Sequence, residues 1–534
     1  MMRYSIRDRR GPHQGPALLA TAVALATVAA CSSGSPHSSD TSAASPSGPP
    51  SGTSASAAPS SAPPSPTPTP SRTYPLSTAP RTIPSVREHQ AARGPGWKPA
   101  APAGVVVGAG SAGLADEGKL LAGELGIPYR GAVAAGPGDV ELALGGTGAP
   151  ESYTLTVQGG RVRISGPDEA GVFYGTRTLK QSVKGAGAMP EGVVTDAPAK
   201  PQRGLNVDIA RKFFSAQWIE DRLREMADLK LNQLGLHFSD DQGFRIASDS
   251  HPEIVSAQHL SKAEVRRVLA LAQSLHITVV PEIDSPGHLG AVLRAHPDLQ
   301  LRNVQGTPRQ GAIDISKPAS ARIVDDLLRE YSALFPGGWF HVGADEYQAL
   351  TVRSPSASYP QLATAARQKY GPQAGVQDLA EGWLNDRAAV VRAAGKTAKA
   401  WNDGFFRGGV VTGDKRIEVE YWTGKEIGAR PPAEYLAEGR RVVNLNDEYL
   451  YYVLGQPNDF TYPTGRRLGE GRRFSLGGNA HPCSAIRTAF RMPSSPCSRA
   501  TCSSTSCSAR SSSASCSPTA PRTTSIRPCL ALST

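Results

Sequence analysis

Residues 205–237 read LNVDIARKFFSAQWIEDRLREMADLKLNQLGLH. This stretch begins with a short apolar run at residues 205–209 and ends with another at 233–237, and both have the length of a strand. Between them, residues 216–230 have the apolar spacing of a helix. A strand, a helix and a second strand in this order are typical of an α/β fold.

The same rhythm continues toward the C-terminus of the chain. Two further segments with helical spacing lie at residues 262–275 and 317–334. Strand-like runs occupy residues 205–209, 233–237, 278–283, 339–342, 398–401, 417–421, 441–445 and 474–477. These eight strands with helical crossovers predict a (β/α)8 TIM barrel over residues 200–480, rather than an open sheet.

A smaller α+β domain is predicted before the barrel, over residues 85–199. Strand-like pieces alternate there with one helix, which we predict near residues 169–182. Alternating apolar residues on both sides of Gly159 and Gly160 predict a β-hairpin. No side chains in this segment have the pattern of a catalytic site, so the barrel is expected to carry the function.

The N-terminus has the pattern of an export signal. Basic residues at 7–10 precede an apolar run at 17–31 that is too short to span a membrane comfortably. The run ends in VAAC, which resembles a bacterial lipobox, so residues 1–31 are predicted to be a lipoprotein-type signal peptide with Cys31 lipidated. The alternative is an ordinary signal peptide with an incidental cysteine. The Ser/Pro-rich segment at residues 32–84 predicts a disordered linker, so the protein is expected to be exported, and either anchored to the membrane through Cys31 or secreted.

Residues 481–534 differ in composition from the chain before them, because Ser, Arg, Pro and Cys dominate without apolar periodicity. A disulfide-stapled tail would suit an exported protein. The abrupt change instead favours a reading-frame error in the gene, which resequencing would test, and predicts a disordered tail. The tail's six arginines supply +6 of the formal net charge of +11. Because this charge is not a face of a folded domain, nucleic acid is excluded as a partner.

Polar side chains follow the predicted strands at the ends where a TIM barrel carries its active site. They are Asp208 and Arg211 after the first strand, HFSDDQG (237–243) after the second, EIDSPGH (282–288) after the third, HVGADE (341–346) after the fourth, WND (401–403) after the fifth and YW (421–422) at the sixth. Six polar strand ends on one rim predict a single site.

Two adjacent acids, Asp345 and Glu346, stand at the fourth of these strand ends. Taken alone, they suit a solvated strand end, a metal-binding pair or a catalytic pair. Cleavage of a glycosidic bond needs a carboxylic acid that protonates the leaving oxygen and an anion that stabilises positive charge at the anomeric carbon. Adjacent strand residues point to opposite faces, so both acids share one site only if the chain turns, which Gly343 and Ala344 permit.

A metallohydrolase on the same barrel is a rival prediction. The residues that offer metal-ligand atoms are His237, Asp240, His288, His341 and Asp345. The sequence has no H-x-H pair and no HExxH helix to organise them, so we expect neither a metal nor another cofactor. A third possibility is a lipoprotein that binds amino sugars without cleaving them.

Blocks of this sequence resemble glycoside hydrolase family 20, the β-N-acetylhexosaminidases. The matching blocks, in order, are RGLNVDIARKFF, LHFSDDQGFRI, VVPEIDSPGHLGAVL and HVGADE, within residues 153–480. The resemblance implies a retaining, exo-acting hydrolase of EC 3.2.1.52 type that releases terminal GlcNAc or GalNAc from chitooligosaccharides or glycans. In this family the substrate's own 2-acetamido oxygen attacks the anomeric carbon and forms an oxazolinium ion.

The resemblance also implies roles for particular residues. Glu346 would be the general acid and base, Asp345 would orient the acetamido group, and Tyr421 would donate a hydrogen bond to the acetamido oxygen. The expected binding residues are Arg203, which would grip the C3 and C4 hydroxyls, and Trp401, Trp383 and Trp422, which would wall the acetamido pocket. Behind them, Asp240 and His288 would tune Glu346, while His237 and Asp208 either assist or are structural, and His341 is expected to buttress its strand.

The resemblance ends at LGGNAHP, residues 476–482. Family members carry a pocket tryptophan and an acidic residue beyond this point, whereas no Trp follows here. Thr423 also stands where Asp or Asn often lies two positions after the family tyrosine. We therefore expect lower activity and stability than in a frame-restored chain. The leaving group stays open, and a lacto-N-biosidase of the same family is the alternative.

Overall fold

The computed structural model of the chain describes residues 72–425, 428–453 and 461–464, and the backbone of 531–533. The predicted signal peptide, most of the predicted linker, the predicted eighth strand at 474–477 and most of the predicted tail lie outside these residues. No helix within the described part of the chain is both long enough and apolar enough to cross a bilayer.

The first domain is a seven-stranded sheet with two α-helices. Its elements are β1 (Glu88–Ala91), β2 (Val105–Val107), α1 (Ala115–Leu125), β3 (Tyr129–Gly131), β4 (Val140–Leu144), β5 (Tyr153–Gln158), β6 (Arg161–Gly166), α2 (Glu169–Ala186) and β7 (Gly192–Asp196). The strand order is β1-β7-β5-β6-β4-β2-β3. The predicted hairpin is β5 and β6, which pair antiparallel across Gly159 and Gly160, whose φ values are 57° and 72°. The predicted small α+β domain is therefore present.

The domain begins earlier than the sequence indicates. Residues 72–84, which we assigned to the linker, pack against it. The Ser77 hydroxyl donates to the Glu191 carbonyl oxygen at 2.6 Å, and the Ile83 N–H donates to Gln181 Oε1 at 2.8 Å. Only the segment up to residue 71 remains a linker by prediction.

The second domain is TIM-barrel-like. Its elements are β8 (Gly204–Asp208), α3 (Ala216–Asp228), β9 (Gln233–His237), α4 (Lys262–Ser274), β10 (Thr278–Glu282), α5 (Gly290–Ala295), β11 (Gln300–Arg302), β12 (Pro308–Ile313), α6 (Pro318–Leu334), β13 (Trp339–His341), α7 (Pro355–Ser358), α8 (Pro360–Tyr370), α9 (Val376–Ala393), β14 (Thr397–Trp401), β15 (Glu418–Tyr421), α10 (Pro432–Ala437), β16 (Val442–Asn444), α11 (Asp447–Leu450) and β17 (Ala531–Ser533). The curved sheet has the order β16-β15-β14-β13-β10-β9-β8-β17. All its neighbours pair in parallel except β17, which lies antiparallel to β8 within a tail expected to be disordered.

The seven described parallel strands lie within one residue of their predicted bounds. Helix starts follow from local chemistry, because the Ser215 hydroxyl accepts from the Trp218 N–H at α3, and Ser261 and Glu264 form a capping box at α4. The hairpin β11–β12 and the helices α7 and α8 were not predicted, because they are insertions between barrel strands and lack a strong apolar period.

The barrel interior contains charge as well as apolar side chains. Lys399 on β14 is buried, and its Nζ lies 2.8 Å from Glu418 Oε1 and 2.7 Å from Glu420 Oε1, both on β15. Burial disfavours the charged amine, but these two carboxylates outweigh it and raise the pKa of Lys399. Because Glu418 and Glu420 are two residues apart, their side chains share the inner face of β15, and Val419 and Tyr421 occupy the other face.

Lys399→Met should therefore lower the free energy of unfolding by about 3–5 kcal/mol, because it leaves buried carboxylates without their cation. Lys369→Met is the matched control, since the Lys369–Asp386 pair is about half exposed and should contribute about 0–1 kcal/mol. Denaturant unfolding of both variants measures the difference. Equal losses would contradict the importance of the interior charge cluster.

Candidate active site

The turn after β13 brings the two adjacent acids to one place. Gly343, Ala344 and Glu346 all have positive φ, at 72°, 86° and 49°. A side chain at position 343 would overlap the Asp284 carboxylate, so only glycine fits there. His288 Nε2 lies 3.4 Å from Asp345 Oδ2 and 3.2 Å from Glu346 Oε2. The expectation that a turn lets both acids share one site agrees with this geometry.

A chain of charged groups continues behind His288. His288 Nδ1 lies 3.4 Å from Asp240 Oδ1, and Asp240 Oδ2 lies 2.8 Å from His237 Nε2. His237 Nδ1 in turn lies 3.1 Å from Glu282 Oε1. Acidic and basic side chains therefore alternate from Glu346 into the barrel. This series includes the three residues that were predicted to lie behind the catalytic pair.

The carboxylates hold these histidines in their charged form. Burial opposes protonation of His288, but Asp345 and Asp240 outweigh it and raise the pKa of His288 well above its usual range. The pKa of His237 is also raised well above its usual range, because Glu282 and Asp240 outweigh burial. The ligand-like groupings of this site are therefore also pairs of histidine and carboxylate side chains.

Asp284 and Asp345 lie side by side but in different protonation states. Asp284 is buried, and this burial together with the Asp345 charge raises the pKa of Asp284 well above its usual range. Burial also opposes ionisation of Asp345, but His288 and a hydrogen bond from Asp284 lower the pKa of Asp345. Asp345 is therefore an anion that is supported by a neighbouring protonated acid.

Asp403 is a further acid of the site, and the sequence placed it only in the WND strand end. Its Oδ2 accepts from the Glu346 N–H at 2.9 Å, and its Oδ1 accepts from Trp422 Nε1–H at 2.9 Å. Burial and the nearby Asp345 charge raise the pKa of Asp403 to about 7. Asp403 therefore fixes the backbone of Glu346 and orients one aromatic wall.

Aromatic side chains surround the acids. Trp401 Nε1–H donates to Glu282 Oε1 at 2.7 Å, and Trp383 Nε1–H donates to Ser285 Oγ at 3.1 Å. Trp422 stacks on Tyr451 with ring centroids 6.3 Å apart, and both pack on a cluster that includes Trp401. The three predicted tryptophans thus converge near the site. A cleft beside Glu346 is lined by Pro286, Ala344, Glu346, Tyr347, Leu350, Thr351, Ala380, Asp403, Gly404 and Phe406.

The prediction for Tyr421 is wrong in its placement. Tyr421 lies on the outer face of β15, where its ring centroid is 6.4 Å from that of Tyr435 on α10. Tyr451 is the candidate tyrosine of the site: its ring stacks on that of Trp422, and burial together with the charges of Asp345 and Glu282 raises the pKa of Tyr451 well above its usual range. Thr423 was compared with a family acid because it lies two positions after Tyr421. Without Tyr421 in the site, this comparison no longer applies.

The prediction for Arg203 is also wrong in its placement. Arg203 precedes β8, at the end of the strand opposite the rim, and it joins the two domains. Its Nη1–H donates to Glu151 Oε2 at 2.8 Å and its Nη2–H to the Tyr174 hydroxyl at 3.1 Å. The arginine of the rim is Arg211, whose Nη2 lies 2.8 Å from Asp240 Oδ2 and whose side chain is half exposed.

Comparisons with known proteins agree with this architecture. The family model "Glycosyl hydrolase family 20, catalytic domain" matches residues 201–472, and "Glycosyl hydrolase family 20, domain 2" matches residues 79–197. A lacto-N-biosidase of Bifidobacterium bifidum is 31% identical over 303 residues, which are 57% of this chain and 26% of that protein. Beta-hexosaminidase 1 of Coccidioides posadasii is 26% identical over 63% of this chain and 58% of its own length. This chain therefore spans well under two thirds of each of these two relatives.

A solved structure shows the same fold. The β-N-acetylhexosaminidase of Streptomyces coelicolor A3(2) aligns with 73% of this chain and 82% of its own, at 25% identity and a TM-score of 0.58. The aligned share includes more than the barrel, since the catalytic-domain match alone spans residues 201–472. The similarity to this structure therefore extends beyond the barrel domain.

The raised pKa of Asp403 predicts a pH-dependent stability. Because the folded-state pKa of about 7 exceeds the ordinary value of about 3.9, the protonated acid favours folding at low pH, and this contribution is lost as the pH rises toward 7. The melting temperature of the wild type should therefore fall relative to that of Asp403→Asn between about pH 4 and pH 7. Above that range, the difference between the two melting temperatures should stay constant. Melting curves of both proteins across this range measure the effect, and parallel curves throughout would contradict it.

Proposed function

We propose, since the chain belongs to glycosyl hydrolase family 20, that it is a retaining, exo-acting β-N-acetylhexosaminidase of EC 3.2.1.52 type. The observation that carries this proposal is the His288 contact, which places Asp345 and Glu346 on one imidazolium at 3.4 and 3.2 Å. The substrate class is a carbohydrate with a terminal GlcNAc or GalNAc, such as a chitooligosaccharide or a glycan. No cofactor takes part in the proposed reaction.

In the first step, the 2-acetamido oxygen of the substrate attacks the anomeric carbon while the bond from that carbon to the leaving oxygen breaks. Glu346 transfers its proton to the leaving oxygen. The anionic Asp345 accepts a hydrogen bond from the acetamido N–H and stabilises the oxazolinium ion. In the second step, Glu346 removes a proton from water, which opens the oxazolinium ring at the anomeric carbon. Two inversions give net retention.

The placement of the other side chains suits this chemistry. Tyr451 is the candidate donor to the acetamido oxygen, because it lies within the electrostatic influence of Asp345 and packs with the tryptophan cluster. Arg211 is the candidate ligand of the sugar hydroxyls, since its guanidinium is half exposed at the rim and has several N–H donors. Trp401, Trp422 and Trp383 would form the apolar walls.

A second candidate is release of the disaccharide lacto-N-biose, which is favoured by the 31% identity with the Bifidobacterium bifidum lacto-N-biosidase. Aryl glycosides of GlcNAc, GalNAc and lacto-N-biose distinguish the two activities. Turnover of the monosaccharide glycosides, inhibited by a thiazoline that mimics the cyclised intermediate, supports the first proposal. Turnover of the lacto-N-biose glycoside alone supports the second. Saturable amino-sugar binding without turnover of any glycoside would show a binding protein.

The proposed location is the outer side of the cell membrane, with a lipid anchor on Cys31. The support is the sequence at residues 1–31, with its basic start, apolar run and VAAC ending. Expression with a labelled fatty acid tests it, with Cys31→Ser as the control. Label on the wild type that is absent from Cys31→Ser supports the anchor, whereas an unlabelled, released wild type indicates secretion.

Glu346→Gln and Asp345→Asn should lower kcat/KM by about 10²–10⁴-fold and about 10²–10³-fold respectively. The two losses should depend differently on the substrate. A dinitrophenyl leaving group needs little protonation, so it should recover much of the Glu346→Gln loss but little of the Asp345→Asn loss. Glu225→Gln, an exposed acid on α3, is the control and should be neutral. Equal behaviour of the two variants would refute the division of roles.

Tyr451→Phe should lower kcat by about 10²-fold, because it removes a donor to the developing charge. Tyr421→Phe should leave kcat and KM near wild type, because Tyr421 lies on the outer face of β15. Steady-state kinetics on one aryl GlcNAc glycoside compares the pair. A large loss in Tyr421→Phe together with a neutral Tyr451→Phe would reverse the assignment.

A further inference from the structure

Two histidines and one glutamate converge on the surface, outside the candidate active site. His251 Nδ1 lies 3.0 Å from Glu253 Oε1, and His296 Nε2 lies 2.9 Å from the same oxygen. The three ligand atoms all lie within 4.8 Å of one another. We propose that His251, Glu253 and His296 form a binding site for one Zn²⁺ ion or a divalent metal ion with similar ligand preferences.

Two of the three distances between the ligand atoms are close to those of a zinc site. Tetrahedral zinc with bonds of about 2.0–2.1 Å separates two of its ligand atoms by about 3.3 Å. The two observed nitrogen–oxygen distances, 3.0 and 2.9 Å, need to open by only a few tenths of an ångström. Side chains that are partly exposed can make this adjustment, and the exposed side of Glu253 leaves room for water as the fourth ligand.

The donor set selects the class of ion. Two imidazole nitrogens and one carboxylate oxygen suit Zn²⁺ and its neighbours in the transition series, whereas Ca²⁺ and Mg²⁺ prefer ligand sets made of oxygen. The histidines of such a site bind the ion through a neutral ring nitrogen.

A second carboxylate supports one ligand from behind. His251 Nε2, the ring nitrogen that faces away from Glu253, lies 3.6 Å from Asp326 Oδ2 on α6. Metal-binding histidines commonly donate their other ring N–H to such a carboxylate, which fixes the ring. Arg329 Nη1 lies 3.0 Å from Asp326 Oδ1 and holds the carboxylate in place.

The backbone around the three ligands is also fixed. Glu330 accepts from the N–H groups of Asp249 and Ser250 at 2.7 and 3.1 Å, and the His251 N–H donates to Ser248 Oγ at 3.0 Å. His296 directly follows α5, where its N–H donates to the Val292 carbonyl at 3.1 Å. A bound ion would therefore join the loop after β9 to the end of α5.

The joined elements lead to the rim. Helix α5 begins at Gly290, two residues after His288, and ends one residue before His296. An ion at the surface would hold the far end of the short segment that carries His288. The role that we assign to the ion is structural, and it is independent of whether the rim has the proposed hydrolase activity.

No motif of short spacing indicates this site, because His296 lies far along the chain from the H-P-E run at residues 251–253. Loops that leave the barrel after different strands bring the ligands together. A search for metal motifs of short spacing therefore misses the cluster.

Zinc titration of the full-length chain, stripped with a chelator, alkylated at its seven cysteines with iodoacetamide and desalted, tests the proposal, because free thiols would bind zinc themselves. We expect one equivalent of Zn²⁺ to bind with a micromolar or lower Kd and to raise the melting temperature, while Ca²⁺ has no effect. His251→Gln, Glu253→Gln and His296→Gln should each weaken binding by at least about 100-fold, and Asp326→Asn by about 10-fold. His259→Gln is the matched control, because that exposed ring donates to the Ser256 carbonyl and faces no ligand.

A measurement on the unaltered chain avoids any folding defect of the variants. Zinc should protect His251 and His296 from modification by diethyl pyrocarbonate, mapped by peptide mass, and should leave His259 reactive. Absence of saturable binding, binding that survives all three ligand variants, or equal reactivity of the three histidines with and without Zn²⁺ would overturn the proposal. Binding that survives the variants would place the ion among the acids of the rim instead.

Discussion

The contact between His288 and its carboxylates is the interaction on which the rest of the rim depends. A buried imidazolium is stable only when acids surround it, and Asp240 and Asp345 do so, each at 3.4 Å. The pairing of opposite charges continues toward the barrel interior, because Asp240 pairs with His237 and His237 pairs with Glu282. Each of these side chains is charged because its neighbour carries the opposite charge.

The same requirement shapes the barrel interior. Glu282 Oε1 lies 3.3 Å from His341 Nδ1, and His341 Nε2 lies 3.9 Å from Glu420 Oε2, which pairs with Lys399. The rim acids are thus continuous with the charge cluster of β14 and β15. Barrel interiors are usually filled by branched apolar residues. This barrel replaces part of that packing with paired charges, so the loss of one member affects neighbours on other strands.

The periodicity of the sequence was sufficient for the strands and for the rim, because apolar runs and polar strand ends are local features. The periodicity was not sufficient to predict the direction in which a particular side chain points. Tyr421 is the last residue of a predicted strand and Arg203 lies two residues before another, but Tyr421 lies on the outer face of its strand and Arg203 at the end opposite the rim. A single residue of displacement along a strand moves a side chain to the opposite face. Tyr451 follows α11, a helix of four residues, whose position depends on tertiary packing.

The different surroundings of the two adjacent acids explain how they can do different work. The Glu346 side chain is 40% exposed and faces a cleft, whereas that of Asp345 is 15% exposed and lies between Asp284 and His288. A group that exchanges protons with substrate and water needs access to both, and a group that stabilises a cation needs a fixed, dry position. The turn at Gly343 and Ala344 creates this difference, because it places neighbouring residues in unlike environments rather than on opposite faces of a strand. Glu346 has a positive φ, and Asp403 accepts a hydrogen bond from its N–H, which helps to hold this residue in place.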